Sequence, residues 1–82
     1  MQNYPNPFNP STKIRYELPV NSNVTLKIYD IKGSIIDIPV NKKQNAGVYE
    51  VEFRGNDLSS GIYFYQLVTE GFTETRKMIL LK

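Results

Sequence analysis

Apolar and polar residues alternate with a period of two along much of the chain, and this pattern limits the possible folds more than any other feature. In residues 12–18 the apolar side chains lie on one face and the charged ones on the other, and residues 24–31 and 48–54 repeat the pattern. Such alternation is typical of strands that bury one face, and no stretch shows the 3.6-residue period of an amphipathic helix. The sequence therefore predicts an all-β fold.

Three further strands complete the pattern. Residues 34–38 predict a short strand that ends at Pro39, and residues 41–47 predict a polar loop after it. Residues 62–68 are the most apolar run and lack clean alternation, which favours a central strand covered on much of both faces. Residues 72–81 form the last predicted strand. The connections are too short for helical crossovers, so we expect an antiparallel β-sandwich of about seven elements.

The connections carry recognisable turn and loop residues. Asp30 and Gly33 occupy the first and fourth positions of a predicted tight turn, which makes a hairpin of the strands on either side. Residues 70–71 predict a second hairpin turn. Leu58 is the only large apolar residue of the loop at residues 55–61, and we expect it to plug one end of the core.

The first eleven residues differ from the rest. They contain three prolines within six positions, which exclude a helix and a central strand. Residues 1–11 should therefore lie extended along a sheet edge, held by Tyr4 and Phe8 as anchors, with the sandwich strands in residues 12–82. At 82 residues we expect the whole chain to be a single domain.

Composition narrows the possible functions. The chain has no cysteine and no histidine, which excludes disulfides and thiolate sites and removes the usual general base and the commonest metal ligand. We therefore expect no enzyme activity, no cofactor and no metal. The net charge of +2 comes from scattered basic residues, so no nucleic-acid partner is expected. No apolar run is long enough for a membrane helix, and no export signal opens the chain, so any such signal should lie on a longer parent.

A few residue groups have both a functional and a structural interpretation. Glu50 and Glu52 lie about 6.5 Å apart on one strand face, but a solvated face explains them better than a catalytic pair. Residues 56–57 fit a turn better than a calcium site. Residues 23–25 match the N-glycosylation triplet, but a chance match at a strand opening explains them better. The six tyrosines and four phenylalanines favour core packing over a stacking surface for sugars or bases.

The last residues of the sequence favour a functional interpretation in addition to a structural one. Residues 77–82 are apolar and cationic, and as the last strand they are placed for presentation to a partner, although they also fit an ordinary final strand. Gly61, just before the apolar strand, suggests a backbone geometry or a close approach that a side chain would oppose.

Five short motifs resemble one family when they are taken in order. They are the Tyr-Pro-Asn-Pro-Phe-Asn-Pro run at residues 4–10, residues 24–30 continuing to Gly33, the Ala-Gly pair at residues 46–47, Leu-Ser-Ser-Gly-Ile-Tyr at residues 58–63, and Lys-Met-Ile-Leu-Leu-Lys at residues 77–82. From about residue 3 to residue 82 the chain resembles the type IX secretion system C-terminal sorting domain, type A. Each motif alone is weak, whereas the ordered set is specific.

This resemblance implies a fold and a function. It implies an immunoglobulin-like antiparallel β-sandwich, fused behind a cargo protein that reaches the periplasm of a Gram-negative bacterium through an ordinary signal peptide. The domain would then direct the cargo through an outer-membrane translocon to the cell surface, without inserting into the membrane itself, and a sortase-like peptidase would typically remove it. The residues that the resemblance assigns to recognition are Gly61, Tyr63, Lys77, Met78, Ile79, Leu80, Leu81 and Lys82.

Two positions depart from the family pattern, because Tyr49 stands where histidine is often expected and Arg54 where aspartate is often expected. Both concern the surface of one predicted strand. The Pro-Asn-Pro-Phe opening is also similar to the immunoglobulin-like domain of a flagellar hook-assembly scaffold, so a structural module is the alternative function. Exposed sheet edges could also allow strand-mediated self-association.

Overall fold

Two antiparallel sheets pack against each other in the computed structural model, which describes residues 1–82. One sheet has the order β1-β2-β5 and the other has the order β4-β3-β6-β7. This arrangement confirms the predicted all-β sandwich of seven strands. The strands are β1 (Gln2–Tyr4), β2 (Ser11–Leu18), β3 (Ser22–Tyr29), β4 (Ile35–Gln44), β5 (Gly47–Arg54), β6 (Gly61–Val68) and β7 (Thr73–Leu80).

One hydrophobic cluster of 14 buried residues joins the two sheets. It is built from alternate residues of the strands, as the period of two requires. Three polar residues, Asn3, Thr12 and Ser22, are also buried, and the Asn3 side chain donates to the Thr12 hydroxyl at 3.2 Å. The cluster consists of Phe8, Ile14, Tyr16, Leu18, Val24, Leu26, Ile28, Val40, Phe53, Tyr63, Tyr65, Leu67, Met78 and Leu80.

Strand β4 corrects two of the sequence predictions. It continues through Pro39 to Gln44, so the predicted end at Pro39 and the predicted polar loop at residues 41–47 are both wrong. β4 is an edge strand, and its pairing with β3 shifts register between Leu26 and Ile28, opposite the proline. Proline is tolerated at such an irregularity of an edge strand. The polar residues after the proline can belong to a strand because Asn41, Lys42 and Lys43 are exposed to solvent.

Strand β6 lies between β3 and β7, which confirms the predicted central position. Its burial does alternate, however. Tyr63, Tyr65 and Leu67 are buried, whereas the residues between them are half-buried. The apolar outer face of the strand conceals this alternation in the sequence.

The predicted turn after β3 is present. The Gly33 N–H donates to the Asp30 carbonyl at 3.0 Å, and Gly33 has a φ of +86°, which favours glycine. The Asp30 carboxylate accepts the N–H groups of Lys32 and Ser34. β3 ends at Tyr29, two positions before the predicted end at residue 31.

The N-terminal segment runs along a sheet edge, as predicted, but only one of its two expected anchors is buried. Phe8 is 1% exposed, whereas Tyr4 is 77% exposed, so the prediction for Tyr4 is wrong. Residues 2–4 pair with β2, and the chain then crosses to the other sheet, where Phe8 forms a parallel bridge with Leu80. This bridge is the exception to the expected antiparallel pairing.

Candidate recognition surface at the terminal strand

Strand β7 is an edge strand of the four-stranded sheet, paired on one side with β6. Met78 and Leu80 are fully buried in the core. Lys77 is exposed and Ile79 is half-buried on the other face. The terminal strand is therefore a structural element of the sandwich and at the same time an accessible margin of it.

The outer edge of β7 is covered at its C-terminal half by residues 6–8, which we call the strap. The Phe8 N–H donates to the Ile79 carbonyl at 2.9 Å, and the Leu81 N–H donates to the Phe8 carbonyl at 2.9 Å. The side-chain amide of Asn6 continues the ladder, because its Oδ1 accepts the Ile79 N–H at 3.1 Å and its Nδ2 donates to the Lys77 carbonyl at 3.4 Å. Since the flanking prolines lack an N–H, the Asn6 side chain takes the place of a backbone peptide.

Beneath the strap, an aromatic ring and a glycine fit closely against β7. The Phe8 ring meets Phe53 edge-on, with 6.2 Å between centroids. A Cβ on Gly55 would lie 2.9 Å from the Leu80 Cδ2 and 3.4 Å from the Phe8 ring, so only glycine fits without displacing its neighbours. Sequence reasoning assigned Gly55 only to a loop. Its position directly after an alternating strand was the signal that could have identified it.

The loop between β5 and β6 fastens the last residue of the chain. The Lys82 N–H donates to the Ser60 hydroxyl at 3.0 Å, and the Lys82 Nζ donates to the Asn56 carbonyl at 2.6 Å. The Tyr63 hydroxyl donates to the Ser59 carbonyl at 2.6 Å and so ties the loop to β6. Leu58 packs partly buried against the core, as the sequence predicted.

The residues that the resemblance assigns to recognition separate into three groups by burial. Three of them, Tyr63, Met78 and Leu80, are buried in the core. Gly61 and Ile79 are half-buried. The exposed members are Lys77, Leu81 and Lys82.

Gly61 faces Leu80 across the β6–β7 ladder. No atom lies within 4 Å of the position that its Cβ would occupy, so of the two predicted explanations the close approach does not apply. Its φ of +156° is instead a conformation that side chains rarely adopt. Backbone geometry explains the glycine here.

Burial and charge shift the pKa of two groups beside this surface. Burial raises the pKa of Tyr65, and the nearby charge of Arg76 opposes this only in part. Burial also opposes the ionisation of Glu74, but the hydrogen bond and charge of Arg76, together with the terminal amine, bring its pKa below the usual value.

No three acidic, histidine or cysteine side chains lie together in a group that could hold a metal ion. The structure also has no helix with the length and apolar character of a membrane span.

Three of the sequence motifs thus meet at one end of the sandwich: the Pro-Asn-Pro-Phe segment, the Leu-Ser-Ser-Gly loop and the terminal strand. The family model for the secretion system C-terminal sorting domain matches residues 2–81. The chain belongs to this family. As a sorting domain of type IX secretion, it is a C-terminal signal that belongs to a secreted or cell-surface protein in transit, and its family is non-catalytic. No curated protein and no solved structure matches the chain.

Proposed function

We propose that this sorting domain directs an N-terminally fused cargo from the periplasm through the outer-membrane translocon to the surface of a Gram-negative bacterium, and that a sortase-like peptidase then removes it. Family membership supports the sorting role. The folded domain is the signal in this proposal, because the terminal strand is part of the core.

Burial separates the recognition residues that could contact a partner from those that would hold the terminal strand in place. Lys77, Leu81 and Lys82 are exposed and would contact the translocon or the peptidase, with Ile79 contributing its accessible face. The other members would hold β7 in place from within the sandwich. These positioning residues are Gly61, Tyr63, Met78 and Leu80.

The N-terminal segment indicates where the cargo and the peptidase site would lie relative to the terminal strand. Since the Met1 amine lies 3.6 Å from the Glu74 carboxylate of β7, a cargo fused before residue 2 would leave the domain beside the terminal strand. One machine could therefore contact the terminal strand and the cargo junction together. The convergence of strap and terminal strand is the observation that carries this proposal.

A reporter fusion tests the sorting function directly. A periplasmic reporter is expressed with and without residues 1–82 at its C-terminus, in strains with and without the type IX system. We expect the reporter to reach the surface, and to be shortened by the mass of the domain, only when the fused domain and the type IX system are both present. Periplasmic retention of the fusion in the competent strain would contradict the proposal.

Deletion of residues 77–82 from the fusion is a poor test of recognition alone. It also removes Met78 and Leu80, which are fully buried, and would unfold the domain. Substitutions at exposed positions of the terminal strand separate recognition from folding.

A further inference from the structure

The outer edge of β7 is covered over only part of its length. Backbone groups of consecutive residues in a strand point to opposite edges, and Ile79 points outward, toward the strap. Thr73, Thr75 and Lys77 therefore point outward as well. The strap reaches only as far as the Lys77 carbonyl, which leaves the Thr73 and Thr75 peptide groups and the Lys77 N–H without a partner.

A crevice of about 570 Å³ opens at the Lys77 end of this uncovered half, between β1 and β7. Asn3 and Asn6 line one part of it, and Tyr65, Arg76 and Lys77 line another. Arg76 is paired with Glu74 at 3.0 Å, whereas Lys77 makes no ion pair. The free half of β7 thus ends, at Lys77, beside a polar recess that contains an unpaired cation.

We propose that residues 73–77 of β7 are a strand-addition site for an extended segment of a partner protein that carries an acidic side chain toward Lys77. An added strand binds through backbone hydrogen bonds and gains specificity from alternate side chains that enter pockets. The strap does not have to move, because it begins where the free half ends. This inference rests on the proposed function, which makes the partner a component of the secretion machinery.

The other sheet edges fit such a partner less well. β1 has only three residues, and β4 is interrupted by a register shift at Pro39. β5 is open along its outer edge, but Glu50 and Glu52 are exposed on it and would repel an acidic segment. β5 therefore provides the matched control.

A proline scan of the two open edges tests the inference. Thr75→Pro removes an outward N–H but no hydrogen bond to β6, since proline is tolerated where an edge N–H faces solvent. Thr75→Ala is its control, because both variants lose the 3.2 Å hydrogen bond from Gln66. Val48→Pro places a proline on the outer edge of β5, where the Gly55 N–H bond to Pro10 shows that even-numbered residues point outward.

Surface delivery of the fused reporter is measured for each variant alongside its melting temperature as a purified domain. We expect delivery of Thr75→Pro to fall at least about tenfold below that of Thr75→Ala, while Val48→Pro is delivered like the unmodified fusion. If Thr75→Pro does not fold, Thr73→Pro replaces it, because the first residue of a strand accepts proline.

Delivery of the folded proline variant at the level of Thr75→Ala would overturn the inference, and so would an equal loss for Val48→Pro. Failure of the unmodified fusion to reach the surface would instead contradict the proposed sorting function. The two failures are therefore distinguishable in one experiment.

Discussion

Phe8 forms a parallel bridge with Leu80, and both side chains are buried. The first and last motifs of the sorting domain are therefore one packing unit, although they stand at opposite ends of the sequence. Two consequences follow. Changes in the Pro-Asn-Pro-Phe segment should disturb the terminal strand, and the outer edge of β7 is accessible only where the strap is absent.

Phe8→Ala tests the strap as a structural element. Removal of a buried phenylalanine ring leaves a cavity beside Phe53 and Leu80, so we expect a loss of about 3–5 kcal/mol in the free energy of unfolding. Tyr4→Ala, at the exposed aromatic of the same segment, should change it by less than about 0.5 kcal/mol. Urea unfolding of the two variants measures both values, and similar losses would contradict the assignment of Phe8 as the anchor.

Gly55→Ala tests the close contact under β7. The new Cβ would lie 2.9 Å from the Leu80 Cδ2, so the leucine must move within a packed core. We expect a loss of about 1–3 kcal/mol in the free energy of unfolding. Gly71→Ala is the control, since its Cβ would have no atom within 4 Å. A Gly55→Ala variant as stable as the control would show that no tight contact exists.

Gly61→Ala tests backbone geometry at the start of β6. A residue with a φ of +156° is strained by a side chain although the surrounding space is open, and we expect a loss of about 1–3 kcal/mol in the free energy of unfolding. Gly61→Ser should cost the same within about 0.5 kcal/mol, because nothing contacts the larger side chain. A loss that grows with side-chain size, measured by chemical denaturation, would point to a close approach instead.

The buried tyrosines predict how stability depends on pH. Burial raises the pKa of both Tyr16 and Tyr65 in the folded domain. Their contribution is fully present below the unfolded pKa of about 10 and is lost as pH rises through the higher folded values. The melting temperature should therefore fall above about pH 10, and less steeply in Tyr65→Phe than in the control Tyr4→Phe. Equal slopes for the two variants would contradict the role of Tyr65.

Alternation in the sequence located most strands because each sheet buries one face. It failed in β4, where Pro39 and the polar residues after it belong to an edge strand, and edge strands need neither a full ladder nor a buried face. Sequence alone does not say which strand lies at an edge. Whether a strand lies at an edge depends on the order of strands in the sheet, and pairing between distant segments of the chain determines that order.

The recognition surface was only partly predictable. The terminal strand and Gly61 were identified from their motifs, but the convergence of three motifs around Leu80 depends on contacts between distant segments. Prolines break the alternation in the first eleven residues, so nothing in the pattern distinguishes the buried Phe8 from the exposed Tyr4. Gly55 was missed because glycine is common in loops, and only the packing around it shows why a side chain does not fit.

The most direct test compares surface delivery of a reporter fused to two double variants of the domain. The first combines Lys77→Glu with Leu81→Ser on the terminal strand, and the second combines Lys42→Glu with Val20→Ser elsewhere. All four positions are exposed, and each pair changes one lysine to glutamate and one aliphatic side chain to serine, so both purified domains should melt within a few degrees of the unmodified one. If exposed residues of the terminal strand are what the secretion system reads, the first pair remains in the periplasm and the second is delivered normally. Normal delivery of the first pair, or equal retention of both, would contradict that claim.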